Sequence, residues 1–338
     1  ALGFIMFYGG FNTKWKTAKP VAAKAILLST CGVLLTAALT TVFCFYILKF
    51  PFAESFLVGA VISATDAASV FAILRRKKLN LKDGVASLLE IESGSNDPVA
   101  YMLTVIGISI LNGDNLSTVP YAIFAQLVYG TLIGVILAAI AIYVLTKTDI
   151  IANGLDTIFI LAVVLLGLGL SQYVGGNCFL CIYLFGILLG NSQIRNKGNI
   201  VPFFDGVTTL AQIVIFFMLG LLSYPHMFPA TILTSVIIAV FLTFIARPVA
   251  VFAILLPFMC SSRQCMLVSW AGLRGASSIV FSISVMAGGS EMSKDLFNIV
   301  FMISLISVAI QGTLLPEVSR KLKMIDEKSD VRKTFNDY

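Results

Sequence analysis

The sequence predicts an all-α membrane protein built as a polytopic helical bundle, and three observations lead to that prediction. Of the 338 residues, 58% are hydrophobic and only 12% are charged. A soluble protein of this length could not bury so much apolar surface beneath a largely polar shell. Long uncharged runs, such as 25–48 and 161–170, are typical of segments that cross lipid. The basic residues, finally, cluster in short stretches between these runs.

Eleven helical segments account for the apolar runs, and most reach the roughly 20 residues that a bilayer crossing needs. The segment 178–190 is shorter, which predicts a tilted or partly re-entrant element within the bundle. We expect one membrane domain over 1–315 and a cytoplasmic tail over 316–338. The predicted segments are 1–11 (partial), 21–48, 52–74, 84–111, 121–146, 155–173, 178–190, 203–222, 230–258, 265–287 and 295–315.

Lysine and arginine predict the orientation, because cytoplasmic loops of membrane proteins carry the excess of both. The opposite set of loops contains only Lys49 and Lys294. The net charge of +6 therefore reflects membrane orientation and not nucleic-acid binding. The basic set, which shares its side with the C-terminus, comprises Lys14, Lys16, Lys19, Arg75, Arg76, Lys77, Lys78, Lys82, Lys147, Arg195, Lys197, Arg263, Arg320, Lys321, Lys323, Lys328, Arg332 and Lys333.

Neither cysteine nor histidine predicts a metal centre. Cys178 and Cys181 form a CxxC, but no second pair or histidine cluster accompanies them, so we interpret them as small apolar helix residues. His226 is the only histidine in the sequence. The chain begins at Ala1 in what reads as a helix already under way, so we expect earlier spans to precede it.

Four charged residues stand out within the predicted spans, because a charge deep in a span costs a few kcal/mol and marks a functional candidate. Asp66 lies near the middle of 52–74, and Asp97 lies near the middle of 84–111. Arg274 lies in 265–287, and Arg247 precedes a proline in 230–258. Two acids at similar depth and two arginines predict a polar centre within the bundle.

Helical spacing places further oxygen ligands around Asp97. Ser93 is one turn before it on the same face, Glu90 is two turns before it, and Glu92 and Asn96 share a neighbouring face. Carboxylate, hydroxyl and amide oxygens are hard ligands that suit an alkali cation, and the carboxylate can take a proton instead. The same span is expected to be broken at Gly94, shortly before Pro98.

Structural explanations compete for the other charges. Asp66 and Arg274 could form a buried ion pair that fixes helix packing, and so could Glu92 and Arg274. Arg247 could neutralise helix ends or extend toward the cytoplasmic interface instead of serving the site. For Asp97, packing alone is a weak explanation, because its span carries three other polar or acidic residues.

The segments 52–74 and 265–287 resemble each other, since each has a charge at mid-depth followed by small residues. Paired interrupted helices in two halves of a bundle are typical of transporters with a site at the midplane. Unwound ends expose a positive N-terminus and a negative C-terminus, which Asp66 and Arg274 respectively can offset. Small residues also serve ordinary helix packing, so this pattern alone is weak evidence for a transporter site.

These residues resemble the NhaP-type monovalent cation:proton antiporters, and most closely the potassium/proton branch called cell volume regulation protein A. The resemblance extends over about 9–316. It is carried by Gly32-Val33-Leu34-Leu35-Thr36-Ala37, Thr65-Asp66-Ala67-Ala68, Glu92-Ser93-Gly94-Ser95-Asn96-Asp97-Pro98, Ala246-Arg247-Pro248, Gly272-Leu273-Arg274-Gly275-Ala276 and Gln311-Gly312-Thr313.

The resemblance implies a thirteen-span fold of inverted repeats, with eleven segments visible here, two crossing discontinuous helices at 52–74 and 265–287, and a homodimer. It implies that Asp97 binds either cation or proton, helped by Ser93, by the Thr65 carbonyl and by Asp66. Glu92 and Arg274 would form a structural bridge. Family members with Asn-Asp, here Asn96-Asp97, tend to be electroneutral, which implies one-for-one exchange.

The implied substrates are protons with K⁺, or with Na⁺ as the second choice, and no cofactor is expected. The implied location is the bacterial inner membrane, and the implied physiological role is pH and cell volume homeostasis. One departure is Tyr8, which stands where relatives often have an acid before Gly-Gly. The branch often carries a cytosolic regulatory domain after the membrane part. Two alternatives stay open, an intramembrane aspartyl protease using Asp66 and Asp97, and a cation channel.

Overall fold

The computed structural model describes residues 1–77, 79–147, 154–194, 197–287 and 293–326. The described chain is helical, apart from one antiparallel bridge between Leu81 and Ile325. The helices are α1 (Leu2–Asn12), α2 (Trp15–Leu27), α3 (Val33–Tyr46), α4 (Phe52–Ile62), α5 (Ala67–Arg76), α6 (Val85–Leu111), α7 (Val119–Lys147), α8 (Asp156–Tyr173), α9 (Cys178–Gly190), α10 (Lys197–Leu222), α11 (Phe228–Phe241), α12 (Arg247–Leu255), α13 (Ser262–Trp270), α14 (Ala276–Ala287), α15 (Ser293–Ile306) and α16 (Thr313–Lys321).

Length and apolarity confirm a polytopic membrane protein. Seven helical stretches of the described chain are long and apolar enough to cross a bilayer, and α9 and α14 are shorter apolar helices. The helix α6 is absent from those seven, although it has 27 residues, because its polar cluster lowers its hydropathy. The seven are Ala18–Tyr46, Phe52–Leu74, Val119–Lys147, Asp156–Tyr173, Lys197–Leu222, Pro225–Phe258 and Lys294–Lys321.

Three spans contain π-helical turns where the sequence predicted uninterrupted helix. Leu28–Gly32 joins α2 to α3, Leu242–Ala246 joins α11 to α12, and Ser307–Gly312 joins α15 to α16. Such turns are rare and commonly lie beside functional sites. Hydrophobic periodicity does not reveal them, because a single wide turn leaves the apolar pattern of the span almost unchanged.

The described chain divides into two compact units, and the single membrane domain over 1–315 stays a prediction. The first unit comprises Ala1–Ala18 and Asn115–Met218. Within it α1 packs closely on α9, where Gly10 and Gly186 let the two backbones approach until an added Cβ would strike the facing carbonyl. Cys178 and Cys181 of the CxxC are buried on α9, as expected for small apolar residues of a packed helix.

The second unit comprises Lys19–Asp114 and the chain from Leu219 onward. Here α4 packs between α3 and α6, while α15 packs against α11 and α14. At Gly59 an added Cβ would lie 2.5 Å from the Ala37 carbonyl oxygen, so this glycine sets the close contact of α4 with α3. Every residue singled out in the two broken spans and in α6 belongs to this unit.

The predicted breaks are confirmed in two spans and wrong in a third. The span 52–74 is interrupted between α4 and α5, and 265–287 is interrupted between α13 and α14. The predicted break at Gly94 does not occur, since α6 continues through both Gly94 and Pro98. Packing against neighbouring helices commonly lets a membrane helix retain a glycine or proline.

The predicted start of the tail at 316 falls inside α16, which ends at Lys321. Of the basic residues used for orientation, Lys78, Arg195, Lys328, Arg332 and Lys333 lie outside the described residues.

Candidate functional site

The two interrupted spans meet at their breaks. The backbone N–H of Asp66 donates a hydrogen bond to the carbonyl of Leu273 at 2.8 Å. Gly275 lies against Asp66 so closely that an added Cβ would be 2.6 Å from the Asp66 Cγ. A side chain at position 275 would therefore force the breaks apart. This contact confirms the predicted crossing of 52–74 with 265–287.

Arg274 caps the C-terminal end of α4. Its Nη1 donates to the carbonyl oxygens of Ile62, Ser63 and Ala64, at 2.6, 2.7 and 2.9 Å. These carbonyls lack helical partners because the helix stops there. The arginine is 1% exposed, and its backbone N–H is held by the Ser307 hydroxyl at 3.0 Å. The predicted offset of a negative helix end by Arg274 is confirmed.

Asp66 caps the start of α5. Its Oδ2 accepts from the Ser69 hydroxyl at 2.6 Å, and its Oδ1 accepts from the Ser69 backbone N–H at 3.2 Å. A carboxylate at this position offsets the positive end of the helix. The prediction that Asp66 would offset the positive end is confirmed, and the alternative of a direct Asp66–Arg274 pair is not found among the ion pairs of the described residues.

The helix α6 contacts the first break through two polar side chains one turn apart. The Ser93 hydroxyl donates to the Thr65 carbonyl and accepts from the Ala67 N–H, both at 2.8 Å. The Asn96 amide donates to the Thr65 hydroxyl at 2.6 Å. The structure thus brings together Ser93, Thr65 and Asn96, as the sequence predicted, and Ser93 spans the unwound backbone.

Asp97 joins α6 to the second broken span. It is 4% exposed, and its Oδ2 accepts a hydrogen bond from the Ser277 hydroxyl at 2.7 Å. Its other oxygen, Oδ1, has no hydrogen-bond partner among the described residues, and neither does the Oδ1 of the buried Asn96. A buried carboxylate oxygen without a donor is costly unless it binds a cation or a proton.

Ser277 is a contact that the sequence reasoning missed. It is the second residue of α14 and follows the break directly. In the sequence, Ser277 and Ser278 are part of a stretch of small residues after Arg274. The sequence feature that could have indicated Ser277 is its position one turn after the intramembrane Arg274.

The predicted bridge between Glu92 and Arg274 is wrong. The Glu92 Oε1 instead accepts from the Nη2 of Arg247 at 2.5 Å, and these side chains are 1% and 2% exposed. Arg247 is therefore held inside the bundle, which disfavours the alternative that it extends to the cytoplasmic interface. Arg274 binds the end of α4 through Nη1, and the packing of the helices brings Arg247 to Glu92 instead. Glu90, the other accessory candidate, is half-buried.

Tyr8 lies in the first unit. Its hydroxyl donates to Asp205 Oδ1 of α10, which also belongs to the first unit, at 3.1 Å. Position 8, where relatives often have an acidic residue, thus carries a tyrosine whose hydroxyl donates to Asp205.

A polytopic bundle with two crossed, interrupted helices and a buried carboxylate at the crossing is the architecture typical of membrane transporters with discontinuous helices. The chain belongs to the sodium/hydrogen exchanger family, whose transmembrane profile matches residues 1–321. This membership agrees with the resemblance drawn from the motifs.

Relatives and a solved structure agree with the family. The K(+)/H(+) antiporter NhaP of Alkalimonas amylolytica is 34% identical over 326 residues, covering 96% of this chain and 57% of the relative. The K(+)/H(+) antiporter NhaP2 of Shewanella sp. (strain ANA-3) is 35% identical over 329 residues, with the same two coverages. The chain thus spans somewhat more than half the length of these curated relatives.

A more distant relative is the Na(+)/H(+) antiporter NhaH of Halobacillus aidingensis, which is 28% identical over 306 residues, 82% of this chain and 71% of its own length. The sodium proton antiporter MjNhaP1 of Methanocaldococcus jannaschii, solved at pH 8, superposes with a TM-score of 0.81. It is 22% identical and covers 95% of this chain and 84% of its own, which establishes the shared fold.

Proposed function

We propose that this chain is the membrane part of a secondary antiporter, in which one monovalent cation and one proton compete for the carboxylate of Asp97. The single observation that carries the proposal is the state of that group. It is buried at the crossing, one oxygen is held by Ser277, and the other has no partner among the described residues. A carboxylate in that setting gains from binding either a proton or a dehydrated cation.

Oxygen atoms suited to an alkali cation lie around Asp97. Asn96 Oδ1 is buried without a partner, and the Thr65 carbonyl and the Ser93 hydroxyl are bonded to each other at the first break. Carbonyl, hydroxyl and carboxylate oxygens can replace the hydration shell of such an ion. Asp66, at the first break, adds a carboxylate to the second unit.

Electroneutral exchange follows from the count of carboxylates at this position. Position 96 is an asparagine, which cannot release a proton. If Asp97 alone alternates between one cation and one proton, each cycle moves no net charge. We favour K⁺ over Na⁺ because the relatives at 34% and 35% identity carry K(+)/H(+) names, whereas a relative at 28% identity carries a Na(+)/H(+) name.

The remaining parts of the proposal concern the whole protein. It would work by alternating access as a homodimer in the bacterial inner membrane, with the C-terminus in the cytoplasm, and would serve pH and cell volume homeostasis. The orientation rests on the excess of basic residues on one side. The family membership disfavours an intramembrane protease, and a polar centre that occurs once in the described chain disfavours a ringed channel.

The test is exchange in proteoliposomes that contain a pH-sensitive dye and carry an imposed proton gradient. Adding K⁺ or Na⁺ should dissipate the gradient, and the ion with the lower half-maximal concentration is the preferred substrate. Adding a membrane-permeant ion such as thiocyanate collapses any potential, so it should leave an electroneutral rate unchanged. If neither cation moves protons, antiport by this chain is rejected.

Asp97→Asn should abolish exchange, because the amide can neither ionise nor take up a proton. The matched control is Asp114→Asn, the same substitution at an exposed position in the loop after α6. Both variants should elute from size-exclusion chromatography like the parent protein. Exchange that persists in Asp97→Asn would remove Asp97 from the role proposed.

A further inference from the structure

Ser277 has a geometry that ordinary helix packing does not explain. Its hydroxyl points out of its own helix to Asp97 Oδ2 at 2.7 Å, and it is 7% exposed. By contrast, Ser282 on the same helix donates to the carbonyl of Ile279 at 2.7 Å, within its own turn. Buried serines of membrane helices commonly make the second kind of bond.

The position of Ser277 at the start of α14 favours its interaction with a carboxylate. Ser277 lies in the first turn of α14, directly after the break that Arg274 and Gly275 occupy. Backbone N–H groups at a helix start carry partial positive charge and favour a nearby anion. A hydroxyl there couples a carboxylate on α6 to the end of a different, interrupted helix.

The bond also selects which oxygen of Asp97 remains open. Because Ser277 engages Oδ2, the partnerless Oδ1 is the oxygen left to face a cation. A carboxylate with a free torsion would have to be ordered at each binding event, which costs free energy. A fixed carboxylate presents the same ligand geometry in every cycle.

We propose that Ser277 is a positioning residue for transport, which holds the Asp97 carboxylate with Oδ1 toward the cation and ties ion binding on α6 to the start of α14. The inference rests on the proposed antiport only for its transport consequence. The hydrogen bond itself can be tested without transport.

The transport arm compares Ser277→Ala with the matched control Ser282→Ala in proteoliposomes at one fixed pH. Loss of a hydrogen bond to a charged group should raise the half-maximal cation concentration about tenfold in Ser277→Ala. Ser282→Ala should leave it unchanged. Ser277→Thr, which keeps the hydroxyl, should restore most of the parent value, whereas a defect of packing alone would not be rescued by the larger side chain.

The second arm is infrared difference spectroscopy of the purified protein, with the Asp97 carboxyl band identified by its loss in Asp97→Asn. The band should shift in Ser277→Ala and stay in place in Ser282→Ala, because its frequency depends on hydrogen bonding. A band that does not move overturns the inference, whatever the transport experiment gives.

If the parent protein exchanges ions but Ser277→Ala matches Ser282→Ala, the inference fails and the proposed function stands. If the parent exchanges neither ion but the band shifts, the proposed function fails and the positioning contact stands.

Discussion

Glu92 and Arg247 form an ion pair at 2.5 Å in which both side chains are almost completely buried, with 1% and 2% exposure. The pair connects α6, which carries Asp97, to the first residue of α12. Arg247 also lies beside Gly272 of the second break, where an added Cβ would be 2.7 Å from the arginine Nε. The pair therefore links α6 to α12 and packs against the second break.

Removing one partner of this pair should be severely destabilising. Glu92→Gln would leave the Arg247 charge buried without a counter-ion, which costs about 3–5 kcal/mol. We expect a clear fall in Tm measured in detergent, and little change for Glu317→Gln on the exposed face of α16. The double variant Glu92→Leu with Arg247→Met should recover part of that loss. A double variant less stable than Glu92→Gln would contradict this account.

Replacing Arg274 should destabilise the end of α4. Arg274→Met would remove the donor to the carbonyls of Ile62, Ser63 and Ala64, and each buried carbonyl left alone costs about 1–3 kcal/mol. Both Tm and transport should fall, while Arg274→Lys should retain part of each because it keeps a cation with three donors. The control is Arg263→Met at an exposed position in α13. Equal losses in Arg274→Met and Arg263→Met would argue against the capping role.

Gly275→Ala should separate the two breaks. Its Cβ would meet the Asp66 side chain, with Cβ and Cγ both at 2.6 Å, and Asp66 is itself hydrogen-bonded to Leu273 and Ser69. Overpacking of this kind costs about 1–3 kcal/mol, and exchange should be strongly reduced. Gly206→Ala, within α10 and with no atom within 4 Å of its added Cβ, should be neutral or slightly stabilising. Parent-like transport in Gly275→Ala would show that the breaks tolerate separation.

Asn96→Asp should make exchange sensitive to membrane potential. A second carboxylate beside Asp97 adds a site that can release a proton, so a cycle could move two protons for one cation. The exchange rate should then increase when thiocyanate collapses the potential, which it should not do in the parent. Asn115→Asp, an exposed substitution of the same type, is the control. If Asn96→Asp transports at a rate that thiocyanate does not change, the count of carboxylates does not set the charge balance.

The sequence alone determined the membrane fold, the two interrupted spans and the identity of the buried charges. Those features are local, because apolar run length and a charge inside such a run are read along the chain itself. The roles of Asp66 and Arg274 at helix ends were also within reach, since each is adjacent to its break. Helical spacing placed Ser93 on the face of Asp97, and only the family resemblance implied a role for the Thr65 carbonyl.

The tertiary structure decided which charged and polar groups meet across the bundle. The sequence offered Arg274 as the partner of Glu92, whereas the placement of the helices brings Arg247 to it. Ser277 could not be told from other small residues until α14 was seen to start beside Asp97. The continuous path of α6 through Gly94 and Pro98 likewise depends on its neighbours, because packing outweighs the weak local preference of either residue. Spacing along one helix determines which residues share a face, whereas packing alone determines which residues of other helices contact that face.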